Sequence, residues 1–346
     1  MQDTVQTTDI AVIGAGPVGL FAIFEAGMLG MKCHVIDTLS AVGGQCVALY
    51  PEKPIYDIPA YPAISGGELI DKLMEQAKPF DPVFHLDQQV TQVTPLEDGR
   101  FDIQTSKGTK INAGAVVIAA GAGAFGPNRP PLEGIENFEG TGVQYYVTNR
   151  EQYRGKKLVI AGGGDSAVDW AISLAELAEK VTVVHRRPKF RAAPESVARM
   201  HALAETDKVD LAIPYQLSGL KADGETLTGV VIKTLEGDEK TIDADHLLPF
   251  FGLAMNLGPI ADWGLNLDKS HIEVDQASSQ TSTKGIYAVG DIATYKSKLK
   301  LILTGFAEAA HAVHAARAHM FPEQVFHFEY STTQGVPAES LKEASN

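Results

Sequence analysis

Apolar residues in this chain gather in short runs that close on glycine, and longer stretches of helical period follow them. The first such block is "DIAVIGAGPVGLFAIFEAGMLGMKCHVID", residues 9 to 37. "IAVIG" predicts a strand, the stretch after Gly19 a helix, and "CHVI" a second strand. Residues 157 to 187, "KLVIAGGGDSAVDWAISLAELAEKVTVVHRR", repeat that order. "AVVIAAGAGAFGP" (115–127) predicts a buried strand leaving the first block. "LLPFFGLAMN" (247–256) predicts a strand and turn leaving the second. "GIYAVGDI" (285–292) predicts a further strand ending in Asp291, and residues 304–321 a helix stopped at Pro322. Residues 128 to 156 read as a polar connector.

The glycines give both blocks a chemistry. Gly14, Gly16 and Gly19 stand in the order G-x-G-x-x-G between strand and helix, and Asp37 ends the second strand. A dinucleotide-binding unit needs this order. Gly14 makes the tight turn, Gly16 lets backbone approach a pyrophosphate, and Gly19 lets helix pack on strand. The helix N-terminus offers unpaired N–H groups to phosphate, and Asp37 accepts from a ribose 2′-hydroxyl. In the second block Gly162, Gly164 and Ala167 take these positions, alanine being an accepted third member. His185 falls at the same interval from Gly162 as Asp37 does from Gly14. Arg186 and Arg187 follow it, with Arg191 one helical turn later. A carboxylate at that position repels a 2′-phosphate, whereas arginine gives it charge-assisted, often bidentate hydrogen bonds. The second block therefore predicts NADP(H) rather than NAD(H), and the first the ADP half of FAD or NAD. The competing reading is a solvated basic patch at a helix end. Two dinucleotide units in one chain predict a flavoprotein, because a flavin releases electrons singly or in pairs and a nicotinamide does not.

Composition narrows the setting. A chain of 346 residues suggests about two domains. The formal net charge of −14 disfavours nucleic acid and anionic membrane as partners. No apolar stretch reaches the roughly 18 residues of a membrane span, and no secretory pattern appears. A cytoplasmic protein is expected. Its two cysteines, Cys33 and Cys46, form no Cys-x-x-Cys, and with scattered histidines they make no metal pattern.

"GAGPVG", "GGQ" (43–45), "GGGDSA", "HRRPKFR" and "VGD" together resemble the low-molecular-weight thioredoxin reductase group, over the chain up to Pro322. One departure matters. A thioredoxin reductase carries a redox Cys-x-x-Cys just before its second glycine loop, and here "VQYYVTNREQYRGKK" (143–157) holds no cysteine. The glutathione-reductase branch sets a second cysteine five positions after the first; Cys46 fits the first, but the later position is Pro51. With no dithiol relay, electrons must leave the flavin directly for an external acceptor. Ferredoxin–NADP(+) reductases of the thioredoxin-reductase type do this, and the sequence resembles them. "GGQCVALYPEKPIYDIPAYP" (43–62) looks like their flavin-side segment, and an extension past the last helix is their other mark.

The resemblance implies two Rossmann-like α/β domains, thioredoxin-reductase-like, with the NADPH domain (126–251) inserted in a discontinuous FAD domain (1–125 and 252–322). It implies a homodimer in which the extension, residues 323–346, covers the flavin of the partner subunit. It gives Tyr50 a stacking role on one flavin face, Asp37 the adenosine ribose, and Gln45 a place in the flavin segment. Val90 would contact the adenine through its backbone, Phe125 would lie near the flavin, and Asp291 would accept from ribityl hydroxyls. Thr304 would start the last helix at the flavin's polar edge. In the extension, Tyr330 takes a stacking position where several relatives have histidine, followed by the hydroxyls of Ser331 and Thr332. Other readings stand beside these: Tyr50 packing in a Tyr-Pro turn, Asp291 as a cap, and "VFHFEY" as dimer surface. Lys296, Lys298 and Lys300 would form a basic patch for an acidic ferredoxin or flavodoxin, or else a solvated loop. His311 and His314 are expected to be packed or capped.

The expected activity is reversible: hydride from NADPH to flavin N5, then single electrons to ferredoxin. Stacking geometry and exclusion of water matter here more than acid–base groups. The alternatives are an NADPH diaphorase serving quinones and a slow-turnover NADPH-sensing flavoprotein.

Overall fold

The computed structural model describes residues 5–324. The chain forms two compact units. One takes the chain up to Ala124 and again from Met255; the other is Phe125–Ala254.

The first unit opens with β1 (Gln6–Ile13), α1 (Pro17–Met28) and β2 (Cys33–Ile36). β1 and β2 run parallel, Ile10 opposite Cys33 and Ile13 opposite Ile36. Helix α2 (Gly66–Ala77) is capped by Ser65, whose hydroxyl accepts the Glu68 N–H, and it buries Leu69, Ile70 and Leu73. Strands β3 (Val83–His85), β4 (Val90–Pro95), β5 (Phe101–Thr105) and β6 (Lys110–Ile118) complete this half. The sheet order is β3-β2-β1-β6-β5-β4.

The apolar runs are continuous because both faces of this sheet are covered. Ile10 and Val12 pack with Ile23, Leu69 and Ile70 on the helical side. Their alternates Ala11 and Ile13 pack with Val90, Phe101 and Ile272 on the other.

The chain passes between the units in strands Ala124–Pro127 and Leu253–Asn256, which pair in a two-stranded sheet. The second unit holds β7 (Lys157–Ala161), α3 (Asp165–Leu174), β8 (Lys180–Val184), α4 (Pro194–Ala204) and β9 (Val209–Ala212). An antiparallel sheet of β10 (Gln216–Asp223), β11 (Thr226–Lys233) and β12 (Glu239–Asp243) follows, then β13 (His246–Pro249). The main sheet has the order β9-β8-β7-β13 with every pair parallel.

Residues 128 to 156 are not a polar connector. Leu132, Ile135, Phe138 and Val143 enter the core of the second unit beside Val159 and Leu247. Gln144 N–H donates to the Leu247 carbonyl at 3.0 Å, and Tyr153 is fully buried. The segment anchors irregular backbone with scattered apolar residues, so neither helical nor strand period marks it.

On its return the chain forms β14 (Ile286–Ala288) and α5 (Ile302–Met320). The N-terminal half of β6 pairs antiparallel with β5, and its C-terminal residues Val116–Ile118 pair parallel with β14. Helix α5 lays Gly305, Glu308, Ala309, Ala312, Val313 and Ala316 inward. Among the described residues no helix is long and apolar enough to cross a membrane.

Candidate functional site

The first glycine loop lies between β1 and α1. Gly14 takes φ +111°, and a Cβ there would run into the Ala119 carbonyl. A Cβ at Gly19 would overlap the Gly14 carbonyl oxygen, so helix and strand meet only because that position is bare. Gly16 differs. It caps α1 at φ −74°, which any residue adopts. A Cβ there would meet nothing nearer than Gly44 Cα, at 3.9 Å. The chain's own packing does not require glycine at 16, and the open space at the helix N-terminus is what a close-lying phosphate group needs.

Asp37 is tied to this loop. Its carboxylate accepts the Ala15 N–H at 2.6 Å and the Leu39 N–H at 2.8 Å. Burial pushes its pKa up, and these backbone donors pull the other way. An ionised carboxylate offers about four acceptor sites, so capacity is left for ribose hydroxyls. Gln88 N–H donates to the Asp37 carbonyl at 2.9 Å, which brings the approach to buried Val90 alongside.

The "GGQC" segment closes against the loop: Gly43 N–H donates to the Ala15 carbonyl at 2.8 Å, and Gly44 backs onto Gly16. Gln45 begins a helical turn ending at Ala48, with its side-chain amide beside Gly121. The Tyr50 hydroxyl lies 3.7 Å from Cys46 Sγ, and its ring packs near Gly66. Burial pushes the Cys46 thiol up to about 11, with the nearby Asp291 carboxylate adding to the effect. Burial, Cys46 and Asp291 likewise raise the Tyr50 phenol. Asp291, Cys46 and Tyr50 therefore converge. Asp291 sits in the turn Gly290–Ile292 after β14, half-buried. Gly305 of α5 lets that helix close on Gly290 and on Val18 of α1. Thr304, half-buried in the first turn of α5, precedes it.

The second loop repeats the design. A Cβ at Gly162 would stand 2.7 Å from the Phe250 carbonyl oxygen and 2.9 Å from Ala167 Cβ. A Cβ at Gly164 would meet nothing within 4 Å. The middle glycine is again free of the chain's own demands. Residues 185–193 form an irregular loop, not the helical turn the sequence suggests. Arg191 N–H donates to the Gly163 carbonyl at 2.7 Å, and Ala193 N–H to Asp165 Oδ1 at 2.9 Å. His185 is 7% exposed and turned inward. Its ring fills the space a side chain at Gly163 would need and stacks on Phe190 at 5.0 Å and 24°. Burial lowers the His185 pKa, and the charges of Arg191, Arg186 and Arg187 lower it further, so all three guanidinium groups lie close. All three arginines are exposed.

The lysine run needs correction. Lys298 is not on a docking patch: its side chain is 6% exposed and paired with buried Glu308. Lys300 Nζ lies 2.6 Å from His271 Nε2, and Lys296 is exposed. His311 is exposed rather than packed, while His314 is half-buried. The Phe125 side chain and residues Tyr330, Ser331 and Thr332 lie outside the described residues. Both thiols are free and buried. No group of metal-ligating side chains gathers among the described residues.

Sequence reasoning passed over Glu308 and Phe190. Glu308 carried a usable signal, a charge on the apolar stripe of a helix. Phe190 stood inside the quoted "HRRPKFR" motif without being given a role.

Residues 8–316 match the pyridine nucleotide-disulphide oxidoreductase family. A protein of Paramagnetospirillum magneticum named ferredoxin–NADP reductase is 60% identical over 95% of this chain and 98% of its own length. One of the same name from Rickettsia felis is 57% identical over 95% of this chain and 98% of its own. Among solved structures, Lactococcus lactis thioredoxin reductase superposes with a TM-score of 0.79 at 25% identity, covering 91% of this chain and 99% of its own. T. acidophilum thioredoxin reductase has the same score and identity over 90% of this chain and 98% of its own.

Proposed function

The chain belongs to the pyridine nucleotide-disulphide oxidoreductase family, and from that premise we propose that it is a ferredoxin–NADP(H) reductase. FAD binds the first unit, NADP(H) the second, and ferredoxin is the protein that receives or supplies single electrons. The observation that carries this reading is the pair of open positions at Gly16 and Gly164, each at a helix N-terminus where a Cβ would fill otherwise empty space. The relatives named ferredoxin–NADP reductase support it.

Bound FAD supplies a group that takes a hydride and gives up electrons one at a time. The residues hold and orient it. Gly14, Gly16 and Gly19 admit the pyrophosphate to the start of α1, and Asp37 accepts from the ribose. Asp291 accepts from the ribityl chain, Tyr50 covers a ring face, and Gln45, Val90, Phe125 and Thr304 line the remainder. Gly162, Gly164 and Ala167 do the same for NADPH, with Arg186, Arg187 and Arg191 on the 2′-phosphate and His185 beneath them. Cys46 takes no electrons. With its thiol raised to about 11 it stays protonated at neutral pH, and it is a free thiol with no disulfide partner. The protein acts as a cytoplasmic homodimer, with Tyr330 and Thr332 of the extension covering the partner's flavin.

Anaerobic stopped-flow tests the reading. The expected result is rapid flavin bleaching by NADPH, much slower bleaching by NADH, and fast reoxidation by ferredoxin. Equal rates with both nucleotides would overturn the role given to the arginines. Bleaching by NADPH with reoxidation only by quinones would make the protein a diaphorase.

A further inference from the structure

Glu308 has no part in the activity proposed above, yet it is a buried carboxylate at 4% exposure on the core stripe of α5. Both of its oxygens have partners. Oε2 accepts the Gly290 N–H at 2.8 Å, and Oε1 accepts the Tyr295 hydroxyl at 2.8 Å and pairs with the Lys298 ammonium. The two charged side chains are 5% and 6% exposed. One carboxylate thus ties three points of a single segment, Gly290, Tyr295 and Lys298, to the helix beneath it. The residue after Gly290 is Asp291, whose carboxylate reaches the surroundings of Cys46 and Tyr50.

A buried ion pair is a poor device for stability alone. Desolvating both charges offsets much of their attraction, and apolar residues of similar size often serve as well. What the pair adds here is position. The Gly290 N–H is the group adjoining Asp291, and a carboxylate can receive it on one oxygen while holding Tyr295 and Lys298 on the other. An amide cannot do both, because one of its two atoms is a donor.

We propose that Glu308 is a positioning residue for the flavin: it fixes the Gly290–Ile292 turn, and with it the Asp291 carboxylate, and locks that turn to the Tyr295–Lys300 loop. This rests on the reading that the first unit takes FAD. Asp291 touches the cofactor, and Glu308 acts through it.

The test compares holoprotein of the wild type, E308Q, and the double variant E308Q/K298M. The readouts are FAD release, followed by the fluorescence of freed flavin; the flavin midpoint potential; the melting temperature; and 2′,5′-ADP binding by the second unit. E308Q is expected to melt earlier, because the buried Lys298 ammonium loses its counter-charge, and to hold FAD about tenfold more weakly, with 2′,5′-ADP binding unchanged. In the double variant the buried charge is gone, so melting recovers while FAD retention and potential do not. Recovery of FAD retention together with melting would reduce Glu308 to a structural part and overturn the proposal. So would FAD retention within about twofold of wild type in either variant. If E308Q fails to fold, the double variant carries the test. Wild-type protein that takes up no FAD would instead sink the FAD reading itself, a result read before any variant is compared.

Discussion

Gly16 and Gly19 are three residues apart and identical in type, yet they answer to different demands. Gly19 is required by the chain, since any side chain there would strike the Gly14 carbonyl. Gly16 is required by nothing in the chain, its nearest obstacle being 3.9 Å away. Gly16→Ala is therefore expected to fold with a melting temperature near that of wild type and to lose FAD affinity. Gly19→Ala is expected to cost stability in the range of overpacked sites, about 1–3 kcal/mol, before any cofactor is considered. Thermal melts of the flavin-free and flavin-loaded forms separate the two, and a Gly16→Ala protein that binds FAD normally would remove the cradle assignment. The G-x-G-x-x-G spacing made these residues legible in the sequence, because turn, approach and packing each need glycine at a fixed offset. Lys298 was not legible. Its partner Glu308 lies on a separate element, and a run of alternating lysines looks the same whether one of them turns inward or not.

At the scale of elements, the strand–glycine–helix–strand order in each block was readable because apolar runs and helical period are local properties of the chain. The loop from His185 to Ala193 was not. Its conformation depends on backbone bonds, Arg191 to Gly163 and Ala193 to Asp165, of which only the second involves a side chain. The register from Gly162 pointed to His185, but not to its inward turn onto Gly163. Phe190 supplies the anchor that permits this: 6% exposed, it stacks on His185 and meets His201 of α4 edge-on at 6.2 Å. Phe190→Ala is expected to destabilise the second unit by about 3–5 kcal/mol, the usual range for a buried aromatic. In protein that still folds, it should raise KM for NADPH several-fold more than KM for NADH, because the arginines lose their common support. Steady-state kinetics with both nucleotides would show it, and an unchanged ratio would mean that the guanidinium groups do not depend on the loop's packing.

For the whole molecule, the fold class followed from finding one motif twice, and the solved thioredoxin reductases share it across 90% of the chain or more. Net charge was legible as a sum, −14, but not as a distribution. With Lys298 withdrawn, the exposed part of the lysine run is Lys296 and Lys300, beside exposed Leu299 at 62%. On the proposed function, an acidic ferredoxin would meet this acidic protein through such local cations, so turnover with ferredoxin should fall as ionic strength rises through about 0.1 M, where the screening length is about 10 Å. Lys296→Glu should lower ferredoxin reduction further at low salt and leave dye reduction by NADPH untouched. If both acceptors slow equally, docking lies elsewhere.

The pairing of β6 bears on how the chain is made. Its first half is matched by β5, a near neighbour in sequence, whereas Val116–Ile118 wait for β14, whose first residue is Ile286. A ribosome delivers the whole of Phe125–Ala254 in between. That contiguous unit has all its strands in hand while the earlier sheet still carries an open edge at its centre. During synthesis the inserted unit is thus the first able to finish, and the unpaired end of β6 is meanwhile open to wrong strand pairing.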